Sequence, residues 1–182
     1  MSVKLNNKTI AITAFSLCIG WSTLIVQSQE KFGYGSDAHP DEIARYDIDI
    51  HTDGKGLPAG SGNATLGAET YEIQCALCHG DKLQGVREMG ANSMLEGRRS
   101  ITKLPYAASL FDFIRRAMPL TDPGTLSDDE TYGLVAYLLT ETGVLADKNI
   151  VLDAKTLAAI KMPGREKFII DPASGFTAED LK

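Results

Sequence analysis

The sequence predicts an all-α domain flanked by irregular segments, and three stretches carry that expectation. Ala64 to Cys75 spaces Gly67, Tyr71 and Cys75 four apart, an amphipathic helical register. Gly67 inside that helix costs about 1 kcal/mol relative to Ala, so a close helix contact at that point is expected. Pro105 to Arg116 reads as a second helix: Pro105 suits a first position, Tyr106, Leu110, Phe113 and Ala117 share one face, and Arg115 and Arg116 sit at the end that favours cations. Leu126 to Glu130 opens a third. Ser127 and Glu130 have capping-box spacing, Leu134, Val135, Ala136, Tyr137 and Leu138 give a wide apolar face, and Gly143 ends the helix.

Composition narrows the function. A chain of 182 residues, 43% hydrophobic and 23% charged, has the balance of one soluble domain with a single core, neither disordered nor collagenous. A net charge of −6 speaks against binding a phosphate backbone, so no nucleic acid partner is expected. Three cysteines exclude a disulfide scaffold.

The first segment reads as an export signal rather than as part of the fold. Lys4 and Lys8 precede an uncharged apolar run from Ile10 to Val26, and Val26-Gln27-Ser28 is an acceptable cleavage site. Residues 1–28 are therefore expected to be a signal peptide that sends the protein to the periplasm. Left uncleaved, the same run would be a membrane anchor, the one way in which a membrane becomes a partner. Losing Lys4 and Lys8 with the signal takes the net charge from −6 to −8 and removes Cys18.

The two remaining cysteines stand in Cys75-Ala76-Leu77-Cys78-His79, followed by Gly80. This C-x-x-C-H pattern attaches c-type haem: two thiols on one turn each add to a vinyl group, and the next residue directs an imidazole to the iron. A redox dithiol does not require the histidine and usually sits in a strand-to-helix turn, which no βαβ pattern here supplies. Zinc needs a further strong ligand, and the other histidines, His39 and His51, lie in Gly/Pro/Asp-rich sequence. One covalent haem c is therefore expected, with Cys75 and Cys78 as attachments and His79 as an axial ligand.

The opposite iron position decides between electron transfer and ligand binding. Met118 is the leading candidate, because it follows the second helix and precedes Pro119, which forces an extended path. Met94, Met89 and an open site are the alternatives, while Met162 lies too near the tail. Arg98, Arg99 and Arg115 are candidate propionate contacts, since a guanidinium pairs well with a carboxylate.

With these features in order, residues 63–142 resemble a class I cytochrome c. The resemblance implies helices crossing near Tyr71 and Tyr137, His79 as proximal ligand and Met118 as distal ligand. Tyr106 to Pro119, Leu126 to Tyr132 and Ala136 to Leu139 are similar to the SoxD-like cytochrome subunits that accompany sulfite and sulfane dehydrogenases. So are Phe32 to Gly35, Asp41 to Ala44, Asp47 to Ile50 and Gly56 to Pro58. This chain carries one haem motif where some of that group carry two, and it is shorter between Glu96 and Pro105.

Residues 29–62 are expected to form an extended arm, with Asp47-Ile48-Asp49-Ile50 alternating like a short strand. Residues 143–182 form a tail packing on the domain or a partner, with a short helix from Ala154 to Lys161. The resemblance implies a periplasmic electron-transfer subunit, not an enzyme on its own. Its electrons would come from a molybdenum-containing dehydrogenase and pass to a downstream cytochrome or oxidase. A free diffusible carrier, or a haem enzyme or sensor that binds a small ligand directly, are the rival readings.

Overall fold

A computed structural model describes residues 34–167. The expected signal sequence lies outside these residues. The chain divides after Ile43 into two units. Residues 34–43, the described part of the first, are exposed throughout. Helix α1 (Pro40–Tyr46) starts there and buries no residue. The arm is thus not extended along its whole length. Pro40 at the helix start, Asp41 and Glu42 in the first turn and Arg45 in the last suit the helix dipole.

Within the second unit the core is a crossing of two helices. Helix α2 (Ala64–Gln74) is capped by Asn63, whose side chain accepts from the amides of Thr65 and Leu66. After it come the short helix α3 (Ala76–His79), helix α4 (Ala107–Ala117) and helix α5 (Asp128–Glu141). Helix α5 opens on the capping box that its sequence announces: the Ser127 hydroxyl accepts from the Glu130 amide, and the Glu130 carboxylate accepts from the Ser127 amide. Helices α2 and α5 meet backbone to backbone at Gly67 and Gly133. A Cβ on Gly67 would run into the Gly133 carbonyl and the Tyr137 Cβ. The glycine that weakens α2 by itself is what lets the two helices touch. One turn on, the rings of Tyr71 and Tyr137 pack 5.2 Å apart.

Helix α4 packs on α5, and its Ala107, Ala108, Leu110, Phe111 and Ile114 are all buried. Phe111 stacks 4.5 Å from Tyr132 of α5. Two expectations for this helix need correction. Pro105 stands outside it, because Tyr106 is the extended N-cap. Phe113 is 54% exposed; the buried set follows the fuller i, i+1, i+3, i+4, i+7 pattern, which turns Phe113 outward.

The tail belongs to this core. Leu152 and Leu157 are fully buried and Met162 nearly so. Gly62 and Leu152 exchange two backbone hydrogen bonds of 2.9 and 2.8 Å, which pin tail to arm. The short tail helix α6 (Ala154–Ala158) carries its own capping box, Asp153 with Thr156. Met162, set aside as too near the tail, is a core residue. No strand occurs among the described residues. Asp47 to Ile50 does alternate, with Ile48 and Ile50 half-buried and the aspartates out, but it finds no ladder partner.

Candidate functional site

The Cys75–His79 turn is built by the end of α2. The Cys75 amide donates to the Tyr71 carbonyl, closing α2, and the amides of Cys78 and His79 both return to the Cys75 carbonyl, starting α3. This reversal puts both thiols and the imidazole within one compact turn. The following loop folds back over it. Gly85 donates to the His79 carbonyl at 2.8 Å and Val86 to the Cys78 carbonyl at 3.0 Å. Gly80 closes the turn with a left-handed φ of +75°, where a Cβ would meet the Gln84 side chain. Leu83 also takes a positive φ, 59°, yet is 1% exposed. Burial of its side chain in the core compensates a backbone conformation that non-glycine residues avoid.

The chemistry of the turn separates the readings of the motif. Cys75 and Cys78 are unbridged and half-buried. Burial, with a smaller push from Cys78, raises the Cys75 thiol to about 11, so it is a protonated thiol near neutrality. No group of three His, Cys, Asp or Glu among the described residues could hold a bare metal ion, and His39 and His51 are exposed. Burial also holds the His79 imidazole below its ordinary value, in the neutral form that can ligate. Its Nδ1 is buried and lacks any hydrogen-bond partner. Two thiols free for thioether bonds and a neutral imidazole beside them fit a haem bound through this turn.

Met118 is the extended C-cap of α4, its amide donating to the Ile114 carbonyl at 3.0 Å. The side chain is half-buried and packs on the same core cluster as Cys75, Ala76 and Met94. Met94 shares that environment, whereas Met89 is 50% exposed. Arg115 spans the Met118 loop to reach Asp128 at the start of α5, 3.1 Å away. Arg116 bonds Asp112 at 2.8 Å and Asp49 of the arm at 2.9 Å. Arg98 and Arg99 sit exposed on a single 3₁₀ turn. The structure does not gather the three candidate arginines into one cluster.

Two contacts escaped the sequence reading. The Tyr71 hydroxyl donates to the Gly80 carbonyl at 2.7 Å, and the Tyr132 hydroxyl to the Pro58 carbonyl at 2.8 Å. The available signal was general: a buried tyrosine needs a partner for its hydroxyl.

Comparison with known proteins agrees with this geometry. The family described as cytochrome C oxidase, cbb3-type, subunit III matches residues 62–138. Thiosulfate dehydrogenase of Stutzerimonas stutzeri is 34% identical over 89 residues, 44% of this chain and 28% of that protein. The cbb3-type oxidase subunit CcoP of Rhodobacter capsulatus is 37% identical over 60 residues, 33% of this chain and 19% of the relative. This chain therefore spans under a third of the length of either relative. A chain in the crystal structure of the sulfane dehydrogenase SoxCD from Paracoccus pantotrophus superposes with a TM-score of 0.69 at 31% identity, covering 80% of this chain and 75% of that one. An all-α fold crossed at Gly67 and Gly133, a C-x-x-C-H turn and a likeness that runs past the haem core make this protein a class I c-type cytochrome, similar to the SoxD-like subunits of sulfite and sulfane dehydrogenases.

Proposed function

We propose that this cytochrome is the periplasmic, monohaem electron-transfer subunit of a molybdenum-containing sulfite or sulfane-sulfur dehydrogenase, delivering electrons to a downstream cytochrome or oxidase. The observation that carries the reading is the extent of the likeness to the SoxCD chain: it takes in 80% of this chain, whereas the cytochrome family match ends at residues 62 and 138. Shared structure beyond the haem core favours a dedicated subunit over a generic carrier. Export is supported by the charge and apolar pattern of residues 1–28, and no helix among the described residues is long and apolar enough to cross a membrane.

In this reading Cys75 and Cys78 would hold one haem c by thioether bonds, and His79 and Met118 would supply ligands to its iron. When bound, the haem supplies an iron that takes up and releases one electron at a time. The chain's own part is to hold the ligands still, so that little reorganises when charge moves. The turn does so with backbone bonds, and the Met118 loop with helix-end contacts. Arg98 and Arg99 are open to propionates, and Arg115 keeps donors beyond the one on Asp128. No residue is asked to act as nucleophile or base.

Isolation of the protein from its native membranes and periplasm tests the assignment. It is expected to bring a molybdenum subunit with it, and sulfite or thiosulfate is expected to reduce its haem only while that subunit is present. Haem protein that purifies free of molybdenum and is not reduced overturns the subunit reading in favour of a diffusible carrier. Rapid, tight carbon monoxide binding to the ferrous protein would instead favour the haem enzyme or sensor.

A further inference from the structure

Resting on the haem reading above, we infer that Tyr71 is a positioning residue, which through its bond to the Gly80 carbonyl sets the orientation of the Gly80–Asp81 peptide that closes the turn carrying His79. The starting point is the orphaned Nδ1 of His79, buried with no partner. A metal-bound histidine is usually oriented by a hydrogen bond on its other ring nitrogen. Here that bond is missing, so the aim of the ring rests on the backbone that carries it.

That backbone is held at four places. His79 donates to the Cys75 carbonyl at 2.9 Å and Gly80 to the Ala76 carbonyl at 2.8 Å, while Gly85 donates to the His79 carbonyl at 2.8 Å. The fourth is the Gly80 carbonyl, which accepts from the Leu83 amide at 3.2 Å and, more closely, from the Tyr71 hydroxyl at 2.7 Å. Among the described hydrogen bonds of residues 75–80, this is the one made by a side chain.

Tyr71 is itself fixed. It is 3% exposed and its ring packs 5.2 Å from Tyr137, one turn from the Gly67–Gly133 contact. The hydroxyl is therefore held by the α2–α5 crossing, and the bond carries the position of the crossing into the turn. Gly80 is buried and left-handed, and that peptide's orientation has few alternatives while the bond stands.

The donor also acts electrically. A hydroxyl proton on the Gly80 carbonyl offsets the negative end of the Gly80–Asp81 peptide dipole, one residue beyond the iron's ligand. Removing it exposes that negative end and leaves room for water, and both changes favour the more positively charged ferric state.

The experiment uses holoprotein carrying Tyr71→Phe, with Tyr137→Phe as its partner control. Tyr71→Phe keeps the ring and removes only the donor; Tyr137→Phe removes a hydroxyl from the same ring pair and leaves Gly80 untouched. The expected result is a midpoint potential lower than wild type in Tyr71→Phe, with altered ferric electron paramagnetic resonance g-values and the haem still attached. Tyr137→Phe should leave both readouts at wild-type values. The proposal is overturned if Tyr71→Phe has the wild-type potential and g-values with only a lower unfolding temperature, or if both variants shift equally. It is also overturned if Tyr71→Phe yields no folded holoprotein while Tyr137→Phe does, since the bond is then structural. Wild-type protein without a haem c spectrum overturns the functional reading itself, a failure distinct from these.

Discussion

The turn that carries His79 and the loop that carries Met118 are held by different forces. Around the turn the contacts are backbone hydrogen bonds and one buried tyrosine hydroxyl, backed by a glycine-to-glycine helix crossing. Around the loop they are polar and partly exposed: Arg115 with Asp128, Arg116 with Asp112 and Asp49, and the Ser127–Glu130 cap. Backbone bonds inside a core are insensitive to salt and change little with pH, whereas surface ion pairs are screened by one and titrated by the other. The expected methionine side is therefore the one that solution conditions can loosen.

Four substitutions probe the two sides separately. The largest effect belongs to the crossing beneath the turn. Gly67→Leu forces a side chain into the Gly133 carbonyl and should cost about 3 kcal/mol or more, seen as a large fall in the unfolding temperature. An unchanged temperature would mean that the helices do not meet there. Next, Met118→Ala should keep the haem attached but lose the weak thioether-to-iron absorption band and lower the potential, because a methionine ligand raises it. Survival of the band would transfer the role to Met94, which packs on the same cluster.

Ser127→Ala comes third, at about 1 kcal/mol for a lost helix cap. It carries a pH signature. The Ser127 hydroxyl, then its amide, hold the Glu130 carboxyl below its ordinary value. A depressed carboxyl stabilises the fold at pH above its unfolded value, and that contribution is lost as pH falls through the folded one. The acid limb of a stability profile should therefore flatten in the variant; an identical limb would remove Glu130 from the explanation. Smallest is Asp49→Asn, a few tenths of a kcal/mol for a pair in which Asp49 is 68% exposed. Its value is diagnostic: wild type should lose this increment in concentrated salt, and the variant should have none to lose.

Legibility in the sequence followed the same divide. The Ser127–Glu130 cap, the close contact at Gly67 and the Cys75–His79 turn were readable because each is local, a spacing of three to five residues with its own physical meaning. The buried face of α4 was misread for want of tertiary context. Tyr106 and Phe113 look as apolar as Phe111, and packing against Tyr132 decides which ring goes in. Which residues of the tail enter the core was unreadable for the same reason. Leu152, Leu157 and Met162 are isolated apolar residues in irregular sequence, and only pairing between Gly62 and Leu152, ninety positions apart, brings them into the core. Alternation at Asp47 to Ile50 recorded one half-buried side correctly but could not say that no strand lay beside it. The pairing of Arg115 with Asp128 was hidden because the two stand thirteen residues apart, across a loop whose shape the sequence does not state.

Mass spectrometry of the peptide containing Cys75 and Cys78, cut from protein expressed with its own N-terminal segment and a haem-attachment system, tests the central assignment. One haem bound through both thiols, and one per chain, is the predicted result. An unmodified peptide, or one in which Cys75 and Cys78 are joined as a disulfide, would contradict it.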